Sequence, residues 1–318
     1  MNSDYERMED GTLVVRADEG AVGVRLDKYL ADHLSGQSRS QLKHLLDDGL
    51  VSIDGKVVRG SLKLAGNEEI RIAEPDEGAT HSVEGPLTEI PVVFEDEYML
   101  IVNKPRGIAS HPASSLKEPS LVECLVAQGA TLAGGESHRP GIVHRLDKPT
   151  TGLMMVAKRP EVHRKLATAI AARDVVRIYL ANAEGDLGSS PFRIDAPMRR
   201  NPSNRLKMQV HYSGKSAATQ IFPLSGMGSG TQVLAKLESG RTHQVRVHLA
   251  EIRHPVLGDH LYGSKSSAPL QLHSMFIRFW HPVVDEEISA FASPPGDFES
   301  APTDEELMEA LKTVVLGE

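Results

Sequence analysis

His144-Arg145-Leu146-Asp147-Lys148-Pro149-Thr150-Thr151-Gly152 runs directly into Leu153-Met154-Met155-Val156-Ala157. The second part is a short, continuous apolar run, the pattern of a strand buried on both faces. The first part is a turn, built from proline, two threonines and glycine. It holds one carboxylate, Asp147, between the bases Arg145 and Lys148. An acid on a loop beside a rigid strand, under positive charge, is expected to stay ionised at neutral pH. Such a group can act as a nucleophile or a base.

Working outward, Met99-Leu100-Ile101-Val102-Asn103 reads as a strand and Lys104-Pro105-Arg106-Gly107 as its turn. Pro160 opens a helix with Val162, Leu166 and Ile170 on one face. From Val175 to Ala181 the chain alternates, so Val176, Ile178 and Leu180 point one way and Arg177 and Tyr179 the other. Ala196 to Gln220 contains no acid but carries Arg199, Arg200, Arg205, Lys207 and Lys215, which suggests a phosphate-contacting loop. In Gly240-Arg241-Thr242-His243-Gln244-Val245-Arg246-Val247-His248-Leu249, Thr242 is expected to cap a helix striped by Val245, Leu249 and Ile252. Arg246 lies off that stripe, and a helix-borne arginine suits a carboxylate or phosphate. Thr303 and Glu306 form a capping box ahead of an acidic helix with Leu307, Leu311 and Val314.

Upstream, residues 22–74 read as a small module. Leu26, Leu30 and Leu34 fall at helical spacing, and Ser38 with Gln41 is a capping-box signature for a second helix carrying Leu42, Leu45 and Leu46. Arg39 and Lys43 share a face of that helix. Asp54-Gly55, between Val51-Ser52-Ile53 and Lys56-Val57-Val58, signals a hairpin. Residues 1–21 read as an acidic flexible arm, and residues 75–97, rich in Pro, Gly and Glu, as a linker.

At 318 residues, 40% hydrophobic and 25% charged, the chain has the make-up of an ordinary soluble protein with room for two domains. No apolar run approaches the roughly 20 residues of a membrane span, and the acidic N-terminus shows no secretory signal. One cysteine, Cys124, excludes an internal disulfide and a multi-cysteine zinc site, and fits a reducing cytoplasm. The net charge of −8 hides an uneven distribution: residues 1–20 carry −4 and residues 285–318 carry −9, leaving +5 on the body between them. The acidic tails read as solubility aids or regulatory segments.

There is no phosphate loop with Lys-Ser/Thr, no dinucleotide fingerprint after a strand, no His-Glu-x-x-His and no Gly-x-Ser-x-Gly elbow. His-Arg-Leu-Asp is similar to a kinase catalytic loop, but Asp-Phe-Gly and a Gly-rich loop are missing. His243 and His248, five apart, are badly placed to share a metal on a helix, and for the 14 histidines a structural or solvent-exposed role is the default. What remains is one activated aspartate, basic surfaces and no cofactor or metal site.

Several segments occur together in order: residues 98–112 (YMLIVNKPRGIASHP), the His144-Arg145-Leu146-Asp147 turn, Ile178-Tyr179-Leu180-Ala181, Gly240 to His248, Pro255-Val256-Leu257-Gly258-Asp259 and Leu272-His273. In this the chain resembles the RluA-type pseudouridine synthases. The module at 22–74 resembles the S4-like RNA-binding domain, which places the likeness in the RluD and RluC branch, over about residues 22–290.

The resemblance implies an α+β pseudouridine synthase fold at 98–318: a mixed, largely antiparallel sheet with flanking helices and a central catalytic cleft, behind a small α/β S4-like domain. It implies a cytoplasmic, monomeric RNA pseudouridine synthase without cofactor, acting on large-subunit ribosomal RNA by base flipping. No membrane and no obligatory protein partner are implied. Asp147 matches the catalytic aspartate, Tyr179 a tyrosine stacking on the target base and Arg246 the arginine paired with the aspartate. Leu272 matches an apolar residue near the base, and Arg145 one filling the space of the flipped nucleotide. Arg241 is expected at the substrate, and Arg39, Lys43, Arg199, Arg200, Arg205 and Lys207 on RNA. Arg177 stands where the family often has lysine, and Thr151 where it often has serine. Asp147 could attack as a nucleophile or remove the 2′ proton to give a glycal. Left open beside this are a tRNA substrate, a non-catalytic RNA-binding or ribosome-assembly factor, and a metal-dependent RNA hydrolase using His144 and Asp147.

Overall fold

The computed structural model describes residues 5–8, 11–34, 42, 45–46, 49–73, 85–112, 116–134, 139–227 and 230–316. The chain divides into two units, Met1–Val83 and Glu84–Glu318.

In the first unit β1 (Tyr5–Arg7), β2 (Leu13–Arg16), β3 (Val51–Ile53), β4 (Lys56–Val57) and β5 (Glu69–Ile72) form one sheet, with helix α1 (Leu26–His33) packed on its core. Asp54 and Gly55 take φ of 49° and 75°, the left-handed pair that a two-residue hairpin turn needs, and β3 and β4 flank them as expected. The N-terminal arm, by contrast, is not an arm throughout. Residues 13–16 pair with β5, and Leu13, Val15, Ala17 and Ala21 are buried in the unit's core. The apolar Leu-Val-Val run outweighs the acidic surroundings, because its backbone completes the β5 ladder. Arg39, Lys43 and the Ser38–Gln41 capping box lie outside the described residues.

The second unit is built on a nine-stranded sheet among the described residues. Its elements in chain order are β6 (Val92–Glu95), β7 (Met99–Lys104), α2 (Leu121–Ala127), β8 (Thr151–Ala157), α3 (Pro160–Ala172), β9 (Val176–Glu184), β10 (Phe192–Asp195), β11 (Met198–Arg200), β12 (Met208–Val210), β13 (Ala218–Met227), β14 (Gly230–Leu237), α4 (Gln244–Glu251), β15 (Leu272–Trp280), β16 (Glu287–Phe291) and α5 (Asp304–Leu316). The sheet order is β10-β13-β14-β9-β15-β8-β7-β6, with β16 on β15. All pairings are antiparallel except β15 with β8, so the sheet is mixed and largely antiparallel. β6 falls inside the expected linker, and Ile90 before it is buried, its backbone bonded at both ends by the Gln128 side chain.

Period-two alternation sorts the core into two faces. Leu100, Val102, Met154, Val156, Tyr179 and Ala181 meet α2 and α4 on one side. Met99, Ile101, Leu153, Met155, Ile178 and Leu180 face the other, where Val162 and Leu166 of α3 and Leu307, Leu311 and Val314 of α5 cover them. Every residue of β8 is buried, as its unbroken apolar run predicts. Gly152 takes φ of 111°, and a Cβ there would stand 2.2 Å from the Ser274 carbonyl oxygen, so the parallel contact between β8 and β15 requires glycine. The acid-free stretch is not simply a loop: β11 and β12 pair as a small hairpin within it.

Candidate active site

The turn that carries Asp147 is tied down on both sides. Ser110 Oγ donates to the Leu146 carbonyl at 2.8 Å and accepts its amide at 3.2 Å. The fully buried Lys104 Nζ donates to the carbonyls of Pro105, Ile108 and Lys148 at 2.9, 3.0 and 3.3 Å. Burial pushes this lysine down to about 7, opposed by the charge of Asp147. Arg106 Nη1 donates to the carbonyls of Pro149 and Leu270 at 3.0 and 2.6 Å, and the rest of its guanidinium grips Asp297. These polar contacts make the turn a rigid mount for one carboxylate.

Arg246 approaches from α4. Its Nη1 donates to Asp147 Oδ2 at 2.9 Å, and Nε and Nη2 clasp Asp259 at 2.7 and 2.8 Å. Burial opposes the guanidinium charge, but Asp259 and then Asp147 outweigh it and hold Arg246 above the usual arginine range. Arg246 lies off the expected apolar stripe yet is 5% exposed, buried by these two acids. Asp259 was present in the sequence as part of Gly258-Asp259 but carried no expected role. Lys148, expected beside Asp147, instead pairs with Glu118 at 2.8 Å.

α4 begins at Gln244, and its N-cap is His243, with φ of 58° and no side-chain cap, so Thr242 does not cap it. His243 Nε2 lies 3.7 Å from Asp147 Oδ1, and Nδ1 lies 2.7 Å from the Tyr262 hydroxyl. Tyr262 also packs under Arg246, whose guanidinium is 5.2 Å from the ring centre.

A cleft opens here, lined among others by Arg145, Asp147, Thr150, Tyr179, Arg241 and Leu272. It brings together all six residues expected at the catalytic and substrate-binding positions: those five without Thr150, and Arg246. Tyr179 is nearly buried, and burial raises it above the usual tyrosine range, partly offset by Arg177. Thr150 Oγ1 is buried with no hydrogen-bond partner among the described residues. Burial lowers Arg145 below the usual arginine range, and the charge of Asp147 opposes the shift. Arg199 donates to Ser213 Oγ at 3.2 Å, Arg200 to the Arg205 carbonyl, and Arg205 is exposed.

His144, weighed with Asp147 as a metal pair, accepts the Met155 amide at Nε2, and burial pushes it down to about 3. Among the described residues no group of three or more His, Cys, Asp or Glu is placed to hold a metal ion.

The sequence matches the RNA pseudouridylate synthase family over residues 98–251 and the S4 domain over residues 24–70. It is 36% identical over 321 residues to ribosomal large subunit pseudouridine synthase D of Haemophilus ducreyi, covering 95% of each chain. It is 35% identical over 287 residues to the uncharacterized RNA pseudouridine synthase YlyB of Bacillus subtilis, covering 89% of this chain and 94% of that one. The fold matches human RNA pseudouridylate synthase domain containing 1, with a TM-score of 0.57 at 23% identity over 72% of this chain and 96% of that one. Human RNA pseudouridylate synthase domain containing 4 gives a TM-score of 0.53 at 26% identity, over 65% and 90%. With a paired aspartate and arginine in its cleft and these relatives along nearly its whole length, the chain belongs to the RNA pseudouridylate synthase family and carries an S4 domain ahead of the catalytic one.

Proposed function

We propose that this protein converts specific uridines of large-subunit ribosomal RNA to pseudouridine, with Asp147 starting the reaction. The observation that carries the assignment of Asp147 is its asymmetric hold. Arg246 takes Oδ2, while among the described residues no hydrogen bond reaches Oδ1, which leaves that oxygen for the nucleoside. The ribosomal target rests on the relatives named ribosomal large subunit pseudouridine synthase D.

In the reaction the C1′–N1 bond breaks, the uracil rotates while held, C5 bonds to C1′, and the proton on C5 passes to N1. A stacked uridine must first be flipped into the cleft, which costs a few kcal/mol. Tyr179 offers a flat face for the base, and base–aromatic stacking recovers about 1–3 kcal/mol. Leu272 packs beside the base, and Arg145 occupies the vacated stack. Arg241, Arg199, Arg200, Arg205 and Lys207, with Arg39 and Lys43 of the first unit, contact phosphates. Oδ1 either attacks the nucleoside or removes the 2′ proton. Among the described residues no helix is long and apolar enough to cross a membrane, and the lone cysteine supports a cytoplasmic setting.

Asp147→Asn is expected to abolish pseudouridine formation in unmodified ribosomal RNA while leaving the RNA dissociation constant within about twofold. An Asp147→Asn protein with substantial activity would contradict the assignment. Modification confined to tRNA would overturn the substrate.

A further inference from the structure

The two oxygens of Asp147 meet different donors. Oδ2 accepts from Arg246 at 2.9 Å, and Oδ1 faces His243 Nε2 at 3.7 Å. The histidine ring is held from behind. Its Nδ1 is 2.7 Å from the Tyr262 hydroxyl, and that hydroxyl accepts the Met208 amide at 2.8 Å. Met208 opens β12, one strand of the basic hairpin.

A backbone amide only donates, so the phenol oxygen accepts from Met208; its own proton can then be given to Nδ1, or the oxygen can take one from Nδ1–H. A neutral imidazole that accepts at Nδ1 carries its proton on Nε2, the side toward Asp147. Burial holds His243 below the ordinary histidine range, which favours the neutral ring; the charged groups facing it are Asp147, Arg246, Asp259 and Arg145. The left-handed backbone of His243 is uncommon for a residue with a side chain, and it sets the ring three positions before Arg246. One helix start therefore presents two donors to the two oxygens of one carboxylate.

We propose that His243 is a positioning residue whose Nε2–H closes on Oδ1 of Asp147 when RNA engages the β11–β12 hairpin, with Tyr262 setting the tautomer and linking hairpin to site. The inference rests on the reading of Asp147 given above. At 3.7 Å the contact is too long for a hydrogen bond, and a movement of about 1 Å makes it one. Such a bond takes one lone pair of Oδ1 and leaves the other for the nucleoside, fixing the plane of the carboxylate without protonating it.

Three variants of the full chain test this. Asparagine at 243 tolerates the left-handed backbone but has nothing at the Nε2 position, whereas glutamine places an amide N–H near it. Tyr262→Phe keeps the ring under Arg246 and removes the hydroxyl. In single-turnover assays with enzyme in excess, His243→Asn and Tyr262→Phe should react about tenfold or more slowly, the loss of one hydrogen bond to a charged group. Their RNA dissociation constants should not change, and His243→Gln should recover most of the rate. Nitrogen-15 histidine spectra should show His243 protonated at Nε2 in the natural protein and a mixture of tautomers in Tyr262→Phe. His243→Asn at the natural rate, a defect seen only in RNA affinity, or His243 protonated at Nδ1 would overturn the inference. A natural protein that makes no pseudouridine in any RNA would overturn the functional reading itself, a result distinct from a slow His243→Asn.

Discussion

A single guanidinium organises the acids of the cleft. Arg246 is gripped bidentately by Asp259 and offers its remaining nitrogen to Asp147, so Asp259 fixes the direction from which Asp147 is held. Asp259→Ala leaves that buried charge with half its partners, and breaking a buried pair in this way costs about 3–5 kcal/mol. The expected outcome is a lower urea midpoint together with a reduced single-turnover rate, measured on the same preparation. Asp147 and Arg246 stood out in the sequence by their local patterns, whereas the roles expected of Tyr179 and Leu272 came from the resemblance to the pseudouridine synthases. Asp259, His243 and Tyr262 were not legible there. Their roles exist only in relation to one another, across three segments, and His243 depends on a backbone conformation that no residue pattern announces.

At the scale of elements, the parallel contact between β8 and β15 decides whether the Asp147 turn has a base. Gly152→Ala would drive a methyl group against the Ser274 backbone in a left-handed conformation, and thermal unfolding should show the protein markedly destabilised. The same junction is clamped by His273, bonded to Thr151 Oγ1 at 2.8 Å and to the Ala292 carbonyl at 2.9 Å. Burial pushes His273 down to about 4, below its ordinary 6.5. As pH falls, the unfolded chain takes up its proton first. The contribution of this group is therefore complete above about pH 6.5 and drains away between there and about 4. The urea midpoint should be lower at pH 5 than at pH 7.5, and His273→Gln should flatten that difference while lowering stability at pH 7.5. Strands such as β8 were readable from apolar runs and α5 from its capping box, confirmed by Thr303 and Glu306 bonding reciprocally. β1 and β6 were missed because short pairing strands carry little pattern of their own; their existence depends on the neighbour they complete.

For the molecule as a whole, each unit owns its apolar core: one cluster lies wholly within the first, and the clusters around the large sheet lie wholly within the second. Removing residues 1–83 should therefore leave a folded catalytic unit that still isomerises uridine but binds RNA more weakly and with a shallower dependence on salt, read by titration at several ionic strengths. The acidic C-terminal segment has a structural part that composition alone did not show. Leu307, Leu311 and Val314 of α5 cover Ile178, Leu180 and Met275, and Lys236 donates to the Val314 carbonyl at 3.0 Å.

The place of β15 has a bearing on how the protein is made. Among the described residues it alone stitches β9 to β8, yet it spans Leu272–Trp280, long after both neighbours have left the ribosome. Until that late segment emerges, the two halves of the sheet are unjoined ribbons with bare edges, and the aspartate turn has no floor. Nascent chains are therefore expected to stay catalytically silent for most of their synthesis, and a chain ended shortly before residue 272 to be a sticky fragment rather than a weaker enzyme, which limited proteolysis of that truncation would show.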